Sequence, residues 1–194
     1  ARAFVTWNRQ PPYYTESGWR GTLRQEGGGV LTNQAIHTLD LMRYFGGEIA
    51  AISGQITNQH LRGVIEVEDT ACVLLQYASG AAGIFYATTA YRQNAPVLLE
   101  LVCEQETLRL EGSNLYRLEG NRFTLLCGEE ERMPGKPYWG SGHARLIDAF
   151  YRSLLPGGEA FPIGAQEGGR ASELLFSLSV SYTHLRAHET ELHL

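Results

Sequence analysis

Basic residues are in short supply in this 194-residue chain: 16 Lys and Arg stand against 21 Asp and Glu, a formal charge of -5. Nothing resembles a stripe of cations interleaved with aromatics, which argues against nucleic acid as a partner. No apolar run approaches the roughly 20 residues that cross a bilayer. The opening ARAFVTWNRQ lacks the apolar core of an export signal, so no membrane partner is expected. Cysteine is scarce as well. Cys72, Cys103 and Cys127 are widely spaced, with no CxxC pair, so neither a disulfide framework nor a zinc or redox motif is expected. Each lies in a strand-like run and is expected to be a small core residue in a cytoplasmic protein.

The far end of the chain is set apart before any chemistry is drawn from it. From Val180 the sequence reads VSYTHLRAHET, which resembles a one-frame translation of an adapter used in DNA library preparation. Residues 180–194 are therefore read as a non-native tail and 1–179 as one domain. That removes His184, His188 and His193 from consideration. The first two have the i, i+4 spacing that zinc sites use, but no Glu follows the first His in an HExxH pattern and no third ligand stands at a telling distance, so no metal is expected. The helical periodicity of GGRASELLFSLS stops where the tail begins, which predicts a last helix cut short there.

Ordinary globular material fills the rest: 43% of residues are hydrophobic and 19% charged, enough for one sizeable core. After a strand-like AFVTW, Pro11 and Pro12 introduce YYTESGWRG, which has loop composition. Then comes EGGGVLTNQAIHTLDLMRYFGG, Glu26 to Gly47. At 100° per residue Asn33, His37, Asp40 and Tyr44 fall on one side of a helix and Ala35, Leu39 and Met42 on the other. Thr32 or Asn33 is placed to cap that helix, and Gly46 and Gly47 to end it.

From Ile49 to Leu126 the texture turns to β. AAISGQITN, DTACVLLQY, GIFYATTA, VLLELVC, TLRLEG, LYRLEG and FTLLC are separated by short turns. Connections this short require antiparallel pairing, because a parallel crossover needs about a dozen residues. HARLIDAFYRSLL and the final segment add helices. The prediction is an α+β fold: an open-faced, mostly antiparallel sheet with helices packed on one face.

A helical histidine with an amide four residues before it and a carboxylate three after it suits proton exchange with a hydroxyl, since imidazole titrates near neutral pH. Spacing alone also admits a half-buried His37 bonded to Asp40 or to a backbone carbonyl.

A resemblance sharpens the choice. GWRGT, EGGG, NQAIHTLDL, VEDTA and a later helix opened by His143 follow the order found in the C-terminal domain of the Gfo/Idh/MocA oxidoreductases. The likeness runs to about Ser179. It implies an NAD(P)-dependent enzyme acting by hydride transfer on a sugar, nucleotide-sugar or polyol hydroxyl, with His37 as the catalytic acid/base. Many members carry Asp where this chain has Asn33, and a neutral amide orients substrate instead of taking a proton. The resemblance places Tyr14 in substrate contact and Trp19 and Arg20 at the cofactor; Asp40, on the same helix side, is counted with Asn33 and Tyr14 as substrate-binding, and is expected to brace the helix or His37 rather than to react. It also implies an N-terminal Rossmann domain that supplies most of the NAD or NADP site and a lysine in a Glu-Lys-Pro motif. Neither that motif nor a strand-GxGxxG-helix unit occurs here, so the chain is expected to be the second domain alone, inactive in isolation and forming a homo-oligomer through its sheet face. The rival expectation is a non-catalytic binding or dimerisation module that uses the same open sheet.

Overall fold

The computed structural model describes residues 1–128, 142–161 and 163–191, with backbone alone from 179 onward. Most of the Gly/Pro-rich segment expected before the second long helix, and the side chains of the tail histidines, lie outside the described residues.

Eight strands form one sheet in the order β2-β3-β4-β1-β5-β6-β7-β8. The strands are β1 Arg2–Thr6, β2 Ile49–Thr57, β3 Thr70–Tyr77, β4 Ala82–Thr88, β5 Leu98–Val102, β6 Thr107–Glu111, β7 Asn114–Glu119 and β8 Arg122–Cys127. Every pairing is antiparallel except β1 with β4, where Phe4 lies opposite Tyr86 in parallel register. Turn-connected neighbours obey the antiparallel rule. β1 escapes it because it slots between β4 and β5, far away in sequence, and becomes the centre of the sheet.

Helices cover one face. α3, Ile36–Gly46, and α5, Ala165–Glu191, pack there. Ala35, Leu39 and Met42 are fully buried in one core with Val73, Phe85 and Val5, as the sequence pattern predicts, and a Leu or Met buried this way contributes about 1.5–3 kcal/mol. Gly46 ends α3 and Gly47 follows with a positive φ of 95°, also as predicted for a glycine stop. α4, Gly142–Ser153, forms where the periodicity requires but buries no residue, leaving Leu146, Ile147 and Phe150 exposed.

Four expectations need correction. The segment after Pro11 is not all loop: α1, Pro11–Thr15, forms a short helix, because proline at the first helical position costs nothing. Cys72, Cys103 and Cys127 are exposed, not core; β3 buries Ala71, Val73, Leu75 and Tyr77 and turns Cys72 and Leu74 to the bare face. The histidine helix has no cap from Thr32 or Asn33. Its first residues, Leu31–Ala35, wind as a π-helix that brings both side chains inside the helical segment. Lastly, the α5 backbone continues past Ser179 to Glu191. The loss of apolar periodicity does not stop it, since nothing from Val180 onward is Gly or Pro.

Candidate functional site

The histidine helix is anchored by its entry loop. After the short α2, Leu23–Glu26, the chain turns at Gly27 and runs Gly28-Gly29 against the segment before β3. There Glu68 takes the place of an N-cap: its Oε1 accepts from Gly29 N–H at 2.9 Å and from Leu31 N–H at 3.0 Å. Its backbone oxygen accepts from Val30 N–H at 3.0 Å. A carboxylate beside the first turn of a helix is favoured by the helix dipole, although burial pushes the Glu68 carboxyl above the usual range. Gly29 is required by proximity: a Cβ at this position would lie 1.9 Å from the Glu68 carbonyl oxygen. Asp69, fully buried, uses Oδ2 to accept from His60 and Leu61 N–H and ties down the loop before β3. Glu68, Asp69 and Thr70 therefore organise a turn and a strand start, the structural role their sequence context suggests.

On this anchored helix His37 is exposed and makes no hydrogen bond among the described residues. Asn33 is half-buried, and its Nδ2–H donates to Glu26 Oε1. The other Glu26 oxygen accepts from Gly21 N–H, so one side chain joins the helix to the loop that carries Trp19 and Arg20.

That loop is a stack of cations and rings. The Arg20 guanidinium lies 4.5 Å from the Tyr13 ring centroid and 4.8 Å from that of Trp19. Arg9 lies 5.2 Å from the same Tyr13 ring and 5.1 Å from Trp7. Such contacts hold a guanidinium flat and in place. Arg20 Nε is buried with no hydrogen-bond partner among the described residues, and Trp19 is 43% exposed.

Two of the six predicted residues are taken up by structural partners. Asp40 accepts from Arg43, at 3.1 Å to Nε and 3.0 Å to Nη2, and Arg43 also pairs with Glu167 on α5. Arg43 therefore fastens α3 to α5 and Asp40 holds that arginine within its own helix, with no hydrogen bond from Asp40 to His37 among the described residues. Tyr14 is 6% exposed, packed with Leu61, Ile65 and Val67, with its hydroxyl 3.5 Å from Thr89 Oγ1. Burial raises its phenol above the ordinary value, which keeps it neutral. Facing inward, it supports the loop. The structure thus ties Asn33 through Glu26 to the loop of Trp19 and Arg20, sets Tyr14 edge-on beneath that loop's Tyr13, 4.9 Å between centroids, and leaves His37 exposed one helical turn beyond Asn33. Sequence reasoning passes over Glu26, Tyr13 and Arg9, and reads Glu68 as a turn and strand start without its hold on the histidine helix. A groove of about 530 Å³ opens beside Glu68, lined by Gly27, Gly28, Thr32, Asn58, Arg62 and Glu66 among others, with His37 outside it.

These features define a class of protein: an α+β domain with a bare antiparallel sheet on one side and, beyond the covering helices, a polar helix face tied to a cation-bearing loop. The model of the GFO/IDH/MocA C-terminal domain matches residues 1–109, and the chain belongs to that family. A D-apiose dehydrogenase from Rhizobium rhizogenes (strain K84 / ATCC BAA-868) is 33% identical over 94 residues, which is 46% of this chain and 26% of that protein. Among solved structures, the WlbA dehydrogenase from Bordetella pertussis in complex with NADH and UDP-GlcNAcA has a TM-score of 0.67 at 24% identity. The match covers 94% of this chain and 51% of that one. Levoglucosan dehydrogenase in complex with NADH and levoglucosan has a TM-score of 0.75 at 18% identity, covering 94% and 56%. These structural likenesses carry the fold. The chain spans about half the length of the solved relatives and matches about a quarter of the curated one. No described helix is long and apolar enough to cross a membrane.

Proposed function

We propose that residues 1–179 form the substrate domain of an NAD(P)-dependent oxidoreductase acting on a sugar, nucleotide-sugar or polyol hydroxyl, and that 180–194 is a tail foreign to it. The observation that carries this reading is the exposed His37 on a helix whose start is fixed by Glu68 and whose Asn33 is fixed by Glu26. An imidazole held this way takes the hydroxyl proton as the carbinol carbon gives up hydride, and returns it in the reverse reaction. Asn33 hydrogen-bonds a neighbouring hydroxyl and sets the angle of approach. NAD(P), when bound, accepts the hydride. Arg20 suits that cofactor: a half-buried guanidinium held by two rings fits an anionic phosphate, and Trp19 walls the same side. Most of the dinucleotide site, including a lysine, is assigned to a Rossmann domain of the parent protein, and use of a soluble dinucleotide suits a cytoplasmic setting.

A second role is supported by the bare sheet face. Leu74 and Ile84 lie opposite each other there and are 56% and 48% exposed, with Val102 at 69% and Leu125 at 55%. A patch of this kind marks an interface, and the role assigned to it is assembly with a second copy of the chain.

The test is an assay of the intact parent protein, following NADH or NADPH absorbance with D-apiose, levoglucosan and UDP-GlcNAcA as starting compounds. Turnover by the parent and none by the 194-residue chain is the expected result. Robust dinucleotide-dependent turnover by the isolated chain overturns the division of labour. A parent protein that neither binds NAD(P) nor oxidises any hydroxyl compound leaves the assembly role alone.

A further inference from the structure

Glu26 is the last residue of α2, a single helical turn. It lies close enough to Glu68 for the two charges to oppose each other. Yet both of its oxygens are engaged, and their partners belong to the two halves of the candidate site: Gly21 N–H, directly after Arg20, and the Asn33 side-chain amide.

A carboxylate only accepts hydrogen bonds, so the group that Asn33 turns toward Glu26 is its NH2. The carbonyl oxygen Oδ1 is consequently the end directed away from Glu26. Without the carboxylate the two ends of the amide are nearly equivalent in shape, and nothing else among the described residues holds the group one way round. We infer that Glu26 is a positioning residue that fixes the Asn33 amide with its oxygen outward, so that the substrate group read there is a hydroxyl donating its hydrogen, while the same carboxylate holds the Trp19–Arg20 loop at a set distance from that amide. The inference rests on the proposed reading of Asn33 as a substrate-binding group and adds the direction of the hydrogen bond and the residue that sets it. It also accounts for an amide at position 33: an aspartate here would put two carboxylates against each other.

Two substitutions separate this from a merely structural role. Glu26→Gln keeps the shape and still accepts from Gly21, but it offers an NH2 to residue 33, so Asn33 must turn its oxygen inward. Glu26→Gln combined with Asn33→Asp restores an outward acceptor, because the amide introduced at position 26 donates to the new carboxylate and the second carboxylate oxygen faces out. Side-chain amide signals of the ¹⁵N-labelled 194-residue chain read this directly. The native chain should show one Asn33 side-chain proton shifted downfield and protected from exchange with water. Glu26→Gln should abolish that signature on Asn33 with the melting temperature unchanged and move the protected proton to the amide at position 26, where the double variant keeps it. An Asn33 side chain unprotected in the native chain, or unaltered by Glu26→Gln, overturns the inference. Loss of fold in Glu26→Gln that the double variant does not repair also overturns it, by making Glu26 structural. In the intact protein the expected accompaniment is a raised KM for Glu26→Gln, lowered again in the double variant. Should His37→Ala retain full turnover, the proposed function fails while the amide signals still report on Glu26.

Discussion

The three consecutive glycines of EGGG make a sharp prediction, because each is glycine for a different reason. At Gly29 an added Cβ would sit 1.9 Å from the Glu68 carbonyl oxygen and 2.8–2.9 Å from two more atoms of the same residue's backbone. No rotamer relieves a clash with main chain, so Gly29→Ala must push the loop off the segment before β3. Overpacking of this kind costs about 1–3 kcal/mol. The displacement also strains three hydrogen bonds, from Gly29, Val30 and Leu31 to Glu68, each contributing about 0.5–1.5 kcal/mol. With part of those bonds lost, the total comes to about 2–5 kcal/mol. At about 2–4 °C per kcal/mol for a chain of this size, the melting temperature should fall by roughly 5–15 °C. At Gly27 space is open and only the left-handed φ of 81° resists a side chain, a cost of about 1–2 kcal/mol. At Gly28 the obstacle is the Thr32 hydroxyl, 2.1 Å from where a Cβ would sit, and that side chain can rotate away. Circular-dichroism melts of the three alanine variants should therefore rank Gly29 as the most costly. A Gly29→Ala chain melting with the native protein, or above Gly27→Ala, would refute the reasoning about how this helix is anchored.

The remaining expectations are simpler. Leu39 is 0% exposed on the buried side of α3, so Leu39→Ala should cost about 2–5 kcal/mol in chemical denaturation. Glu100, 5% exposed, is pushed up by burial, but Arg2 and Arg109 outweigh this and hold it below its ordinary value of 4.5. Its contribution is then present above that pH and lost as pH falls through the lower folded-state value, so Glu100→Gln should flatten the stability profile below about pH 4.5. At neutral pH the same variant should cost roughly 1–3 kcal/mol, less than a fully buried pair because Arg2 is half exposed. Under the proposed assembly through the bare sheet face, Leu74→Asp should shift light scattering from dimer to monomer and make the melting temperature independent of protein concentration. A dimer that survives Leu74→Asp and Ile84→Asp together would place the interface elsewhere.

Much of the fold is legible because local patterns decide it. Gly46 and Gly47 mark the end of α3, the apolar spacing of Ala35, Leu39 and Met42 marks its buried side, and short turns pair the later strands. The central position of β1 is not legible, since its partners lie about eighty or more residues away and no local signal selects between β4 and β5. The cysteines mislead because β3 is apolar on both faces. Cys72 and Leu74 read as core as readily as Val73 and Leu75 do, and period-two alternation cannot say which face the helices will cover. At the site, the helix and its exposed histidine can be read from sequence. The fate of Asp40 is available too, since Arg43 stands three residues on with the opposite charge. Glu26 and the hold of Glu68 on the helix are harder, because their partners are backbone amides and an amide side chain brought near by the fold, and sequence carries no mark of those bonds.

The central claim is that His37 exchanges the proton during hydride transfer. It is tested most directly by single-turnover hydride transfer in the intact parent protein, comparing native, His37→Ala and His37→Gln with the best hydroxyl substrate found. The account predicts that both variants bind dinucleotide normally and lose at least about 10²-fold in the chemical step, with the pH dependence set by the native imidazole gone. Hydride transfer at the native rate, with the native pH profile, in His37→Ala would contradict it.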